Sequence, residues 1–296
     1  MKKFMTTCLV AIASVLLLSA CSSGDKLIVG TQTTSETKAI AYMYKELIED
    51  QTDLKVDVKT DMATDTLVLE AMMSDELQIA TTYTGTALAS FFEIEDPSDQ
   101  EGTIEQTKRD FKEKYNIHVF DPLGFANTYA LAVTQDFAKE HDLSKVSDLE
   151  GIAKDLDFGS DTSWLERKGE DGFKAFTDLY GFDFKSASPM SPNLVYEALK
   201  SGEKDVVLAY STDARIDIFD LKTLEDDQNF FPPYDASSYV KQETLDEYPE
   251  LEDIFKSLEG KIDLDTIRTL NRKMDDDGEE PSDVAVEFLK DNGLLE

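Results

Sequence analysis

The sequence predicts an α/β fold in which two lobes enclose a cleft. Apolar strand-like runs alternate with segments of helical periodicity along most of the chain, the pattern of βα units built on a mainly parallel sheet. The chain has 296 residues, enough for two units of ordinary domain size. Ligands of open α/β sheets sit outside the carboxyl ends of strands, so the segments just after strands are where chemistry is expected.

Leu27-Ile28-Val29-Gly30 reads as a buried strand stopped by glycine, and hydroxyl-rich Thr31 to Ser35 suits the start of a helix. Residues 37–50 carry Ile40, Met43, Tyr44, Leu47 and Ile48 at helical spacing. Residues 54–58 alternate like a strand, 64–74 read as a helix, and 77–83 as a strand running into a loop. Residues 117–120 and 129–133 extend the sheet pattern. A helix near 146–154, a strand near 156–158, helices at 172–179 and 193–201, and a buried strand at 205–210 follow. The tail is helical over 250–258, 263–274 and 282–292, with Asp263 and Ser282 as N-caps and Gly293 as C-cap. No internal repeat of fixed period and no low-complexity linker is visible.

The first residues bear on compartment. Met1-Lys2-Lys3 is a basic start, and Leu9 to Leu18 is an apolar run too short to remain as a spanning anchor. It ends in Leu18-Ser19-Ala20-Cys21, which resembles the lipobox of bacterial lipoproteins, where the cysteine is acylated and the chain is cut before it. The expectation is a signal peptide at 1–20, a lipidated Cys21 with a tether at 21–25, and a location on the extracytoplasmic face of a bacterial cell membrane. Two acyl chains suffice for stable attachment where one does not.

Cys8 and Cys21 are the only cysteines, and Cys8 is lost with the signal segment. The mature domain therefore has no disulfide and no thiolate metal site. A chain this long can bury a full core without them. The formal net charge of −33 becomes more negative by two when Lys2 and Lys3 leave. So acidic a surface repels nucleic acid and anionic membrane, and no nucleic-acid partner is expected.

Catalysis finds no support. His118 lies in an apolar strand pattern and His141 in a charged stretch, and these are the only two histidines. No HExxH, P-loop or GxSxG motif is present. With 62 acidic residues, chance carboxylate pairs are expected. Asp275 to Glu280 lacks the alternating ligand spacing of an EF-hand loop and reads as a solvated turn. Neither a metal nor a cofactor is expected, and the chain reads as a non-enzyme.

Four tyrosines stand where a cleft would form: Tyr83 after a strand, Tyr129 at a strand start, Tyr210 at a strand end, and Tyr234 after two prolines. A trimethylammonium group donates no hydrogen bond and is weakly hydrated, so electron-rich ring faces recognise it, each contributing about 0.5–2 kcal/mol. A cage of such rings needs no buried carboxylate. The chain has 11 tyrosines, and a tyrosine at a strand end is more often packing with its hydroxyl in water, so position alone makes a weak case for a cage.

The motifs around these rings carry more. Thr82-Tyr83-Thr84-Gly85-Thr86, the segment GFANTYALAV at 124–133, DVVLAYSTDAR at 205–215 and FFPPYD at 230–235 resemble, in order, the substrate-binding proteins of osmoprotectant ABC importers. Those importers take up glycine betaine, carnitine, choline and relatives. The likeness runs from Leu27 to the C-terminal helix; residues 158–160 with 164–167 form a looser fifth match.

The resemblance implies a two-lobe, type II periplasmic-binding-protein fold with the ligand cleft between the lobes. Lobe one would be 26–128 plus 233–296 and lobe two 129–232, with crossings near Tyr129 and Phe231. It maps the family's aromatic cage onto Tyr83, Tyr129, Tyr210 and Tyr234. A ligand carboxylate needs donors, and Gln32 stands where the family places a ligand-contacting residue, with Thr86 and Asn127 in the cleft motifs; local turn chemistry fits each as well. A threonine at 86 suits a carboxylate and tolerates an alcohol, where an acid would favour choline, so a broad range including betaine and carnitine is expected.

Asp213 and Arg215 stay outside the ligand set, as a structural ion pair or a support for the hinge, and Trp164 reads as packing. An ABC permease with its ATPase is the implied partner, and the chain itself is expected to be monomeric. The alternative keeps the fold but changes the cargo to amino acids, usually held by an Arg on the carboxylate and an Asp on the amine.

Overall fold

The computed structural model describes residues 26–96, 99–167, 172–231 and 234–295. The signal segment, Cys21 and the tether lie outside them, as do Pro232 and Pro233. Two five-stranded sheets organise the chain. The first has the order β2-β1-β3-β10-β4, from β1 (Lys26–Gln32), β2 (Lys55–Met62), β3 (Ile79–Tyr83), β4 (Ile117–Ala126) and β10 (Asp235–Lys241). The second has the order β7-β6-β8-β5-β9, from β5 (Tyr129–Thr134), β6 (Asp157–Asp161), β7 (Ser186–Met190), β8 (Val206–Tyr210) and β9 (Leu221–Thr223). The chain thus leaves the first sheet after Ala126 and rejoins it at Asp235.

The helices of the first lobe are α1 (Ser35–Gln51), α2 (Asp65–Met73), α3 (Thr84–Phe91), α4 (Gln100–Tyr115), and α10 (Gln242–Glu247), α11 (Leu251–Lys256), α12 (Leu264–Asp275) and α13 (Pro281–Asp291) in the tail. Those of the second are α5 (Gln135–His141), α6 (Thr162–Leu165), α7 (Phe173–Tyr180), α8 (Pro192–Lys200) and α9 (Arg215–Ile218). The periodicity of α1 does what it predicts: Ile40, Met43, Tyr44, Leu47 and Ile48 are all buried, in one cluster with α11 and α13. In the second lobe Trp164 is fully buried among Phe158, Phe173 and Phe176, so its assignment to packing holds.

Several expectations change. The sheets are mixed rather than mainly parallel: β1–β2, β1–β3, β6–β7 and β6–β8 run parallel, while both strands flanking the crossovers, β10 and β5, pair antiparallel on either side. Gly30 does not stop β1. The strand continues to Gln32 through a register shift after Gly30, where Leu77 packs so closely that a Cβ would meet it at 2.2 Å.

The helix expected near 146–154 is two short 3₁₀ turns, Val146–Leu149 and Ala153–Asp155. The Asp148 carboxylate accepts the Ser144 and Lys145 N–H groups at 2.9 and 3.0 Å, closing a tight turn in place of a longer helix. Asp263 caps α12 through Thr266 N–H, as expected. The last helix, however, starts a residue early, with Glu280 at the cap and Pro281 in the first turn, where a missing N–H costs nothing.

Candidate functional site

A cavity of about 440 Å³ lies between the two sheets, within the size range of small-ligand sites. All seven residues expected to bind ligand line it: Tyr83, Tyr129, Tyr210, Tyr234, Gln32, Thr86 and Asn127.

Topology brings the rings together. Tyr129 opens β5 and Tyr210 ends β8, and the antiparallel register sets them directly opposite each other. Their centroids are 5.1 Å apart with planes inclined by 44°, so the two faces form a corner rather than a stack. Tyr83 ends β3 and Tyr234 precedes β10; both pack on the core of the first lobe. The cavity therefore takes two rings from each sheet. Burial, aided by Tyr129 and Asp161, holds the Tyr210 phenol well above 10, so its ring is a neutral, electron-rich phenol at working pH.

Three charged residues outside the expected ligand set stand with these rings. Glu36, 2 % exposed, lies behind Tyr83. It accepts the Tyr83 hydroxyl and, at 2.6 Å, the Asn127 amide on one oxygen, and the Asn271 amide at 3.1 Å on the other. Desolvation first, then the Glu36 charge, pushes the Tyr83 phenol well above 10. Asp65, the first residue of α2, lines the cavity itself and accepts the Gln32 amide and the Thr82 hydroxyl. Desolvation is the main reason its carboxyl is pushed up to about 6, with the charge of Glu36 adding and the Thr82 bond opposing. Arg167 reaches in from the second lobe: its guanidinium lies 5.8 Å from the Tyr129 ring centre and donates to the Tyr129 hydroxyl at 3.3 Å. Two carboxylates at the rings depart from the expectation of a cage that works without one.

Asn127 is less a free donor than a fastening. Its side chain is committed to Glu36, and its backbone N–H donates to Tyr234 O at 3.1 Å, which joins the two crossovers side by side. Ser211, just past Tyr210, bonds Thr128 through N–H at 2.8 Å and Ala126 through its hydroxyl at 2.9 Å. From the first lobe Arg268 donates to Ser211 O at 2.7 Å and Asn271 to Thr212 O at 2.9 Å.

Asp213 and Arg215 form the structural pair expected of them, Oδ1 accepting Nε at 2.8 Å, with the guanidinium 4.2 Å from the Tyr196 ring centre. They stand outside the ring-lined cavity. Among the described residues no His/Cys/Asp/Glu cluster fit for a metal occurs, and no helix is long and apolar enough to cross a membrane.

Residues 25–291 match the OpuAC family, the substrate binding domain of ABC-type glycine betaine transport systems. The chain belongs to this family. Its members are transport proteins and not enzymes, and work outside the cytoplasmic membrane. Among relatives, the carnitine transport binding protein OpuCC of Listeria monocytogenes is 40 % identical over 304 residues, covering 100 % of this chain and 98 % of its own. The ergothioneine transport permease/ergothioneine binding protein EgtU of Helicobacter pylori is 33 % identical over 224 residues, 76 % of this chain and 40 % of that protein. A crystal structure of a glycine betaine/carnitine/choline ABC transporter superposes with a TM-score of 0.86 at 38 % identity, covering 91 % of this chain and all of that one. The OpuAC-type fold accounts for the two sheet-bearing lobes and for a cleft between them.

Proposed function

We propose that this protein captures quaternary-ammonium solutes, with glycine betaine and carnitine among them, and delivers them to an ABC permease and its ATPase. The observation that carries the reading is the convergence of Tyr83, Tyr129, Tyr210 and Tyr234 on one cavity, two from each sheet. A permanent cation with no N–H to donate gains most from such ring faces. The carboxylate of a betaine would meet the donors at the edge of the cage: Gln32, Thr86 in the first turn of α3, and Arg167, whose fork suits a carboxylate. The identity to a carnitine-binding relative supports the ligand class, and the joined permease of the Helicobacter relative supports the partner.

In this reading the lobes are 26–128 plus 233–296 and 129–232, and they hinge at the two crossovers to enclose the ligand. Cys21 carries the lipid that holds the monomeric chain at the outer face of the membrane.

One observation favours a second reading. Asp65 and Arg167 both line the cavity, and an acid with an arginine is the pair that would hold an α-amino acid. Titration calorimetry with glycine betaine, carnitine, choline and a panel of amino acids separates the two. Binding of the methylated cations alone is expected; binding of amino acids alone would overturn the proposal.

A further inference from the structure

Asp65 comes from α2, outside every motif that carries a ring, yet shares the cavity with all four tyrosines. It also shares a donor with the ligand. Gln32 is one of the groups available to a ligand carboxylate, and its amide already donates to Asp65. An ionised Asp65 therefore competes for that donor and repels an incoming carboxylate. A protonated Asp65 does neither, and adds an O–H.

We propose that Asp65 is a selectivity residue that ranks ligands by the charge at their non-ammonium end: ionised, it favours choline, whose alcohol can donate to it; protonated, it admits betaine-type carboxylates. This rests on the quaternary-ammonium reading above. It also alters what Thr86 alone implies, because an acid reaches the same cavity from another segment.

Charged and titratable groups face Asp65 from several elements. From α1 it faces Glu36, which keeps donors in Tyr83, Asn127 and Asn271. From β3 it faces Thr82 and Tyr83, and from β10 Tyr239; both phenols are held well above 10 by burial and stay neutral. β1 offers Gln32. β2 commits Lys59 and Asp61 to Glu76 and Lys38, and α3 carries no titratable side chain. Arg167, across the cleft, keeps its charge throughout. Neither His118 nor His141 lines the cavity. Burial lifts the Asp65 carboxyl to about 6, which puts its change of charge within an accessible range.

The test is calorimetry of choline and of glycine betaine at a series of pH values from about 5 to about 7.5, a span over which neither ligand titrates. A neighbouring charge commonly shifts a carboxyl by one unit or more, so by linkage the choline-to-betaine affinity ratio is expected to rise about tenfold across the series. In Asp65→Asn the ratio should be flat and betaine binding at neutral pH should improve. The wild-type series stands even if the variant fails to fold, and Asp65→Ser is a second replacement. A ratio that does not move in the wild type, or that moves equally in a folded variant, overturns this proposal alone. Failure of both ligands to bind at any pH overturns the quaternary-ammonium reading, and this one with it.

Discussion

Replacing Tyr210 separates attraction for charge from attraction for bulk. Its ring faces Tyr129 across the β5–β8 ladder at 5.1 Å, so a bound cation can touch both. One ring face contributes about 0.5–2 kcal/mol, so Tyr210→Ala should weaken choline or betaine binding roughly 2- to 30-fold. Adding Tyr129→Ala should bring the loss to about 1–4 kcal/mol. Tyr129 alone is the less clean probe, because its ring also packs on Trp164 and Phe231, at 6.3 and 5.7 Å, and its hydroxyl accepts from Arg167. Tyr210→Phe keeps the ring and should stay within a few-fold of wild type. The assay is calorimetry with two ligands of one shape: choline and its neutral analogue, in which a tert-butyl group replaces trimethylammonium. Ring-face attraction predicts that Tyr210→Ala removes more affinity from choline than from the neutral analogue. Equal losses would show that the ring supplies only contact area, and the cage argument would fall.

Two further outcomes follow from burial. Trp164 is 0 % exposed and touches five aromatic neighbours in the second lobe, so Trp164→Ala should cost about 3–5 kcal/mol in denaturant unfolding, where a ring meant for the ligand would cost affinity instead. Asp65 makes stability fall as pH rises: its folded carboxyl is lifted from 3.8 to about 6, so the folded state binds the extra proton in that window. The penalty is absent below the lower value and complete above the higher, at most about 3 kcal/mol. Asp65→Asn should remove that slope in urea melts taken across the window, and an unchanged slope would place the proton elsewhere.

The parts of the site that were legible in the sequence are those that lie in continuous motifs. Each of the four cleft tyrosines sits at or beside a strand end flanked by small or turn-forming residues, so position and chemistry agree within a few residues. Glu36 and Asp65 had no such frame, and Arg167 stood only in the loose match at 164–167. Two of them are acids in a chain with 62, and only the folding of α1 and α2 against β3 turns them toward the rings.

The same physics hid α4. Its buried face is Thr103, Gln106 and Thr107 with Phe111, so hydrophobic periodicity barely registers it. Those polar groups are satisfied locally, Thr107 donating to Thr103 O at 2.7 Å and Gln106 to Glu93 O at 2.8 Å. The mixed sheets were missed for another reason. Alternation of strand and helix predicts parallel neighbours, but β5 and β10 follow crossovers between lobes, and a strand arriving from the other lobe is not bound by the βαβ rule.

The four cleft tyrosines are not equivalent, and Glu36 is the reason. The Tyr210 hydroxyl meets that of Tyr129, whereas Tyr83, 6 % exposed, spends its hydroxyl on a buried carboxylate. That carboxylate also holds Asn127 at one crossover and Asn271, which in turn holds Thr212 in the second lobe. Tyr83→Phe keeps the ring face but takes one of three donors from a buried charge, a loss of about 1–3 kcal/mol. Tyr83→Phe should therefore lower folding stability in denaturant by that amount, while Tyr210→Phe leaves it nearly unchanged. Glu36→Gln tests the same link from the other side: if the carboxylate acts through the phenol, its effect on choline affinity shrinks once Tyr83 is already Phe. Should Tyr83→Phe melt like wild type and Glu36→Gln act equally in both backgrounds, the hydroxyl is idle and the cage and the crossovers are not coupled through it.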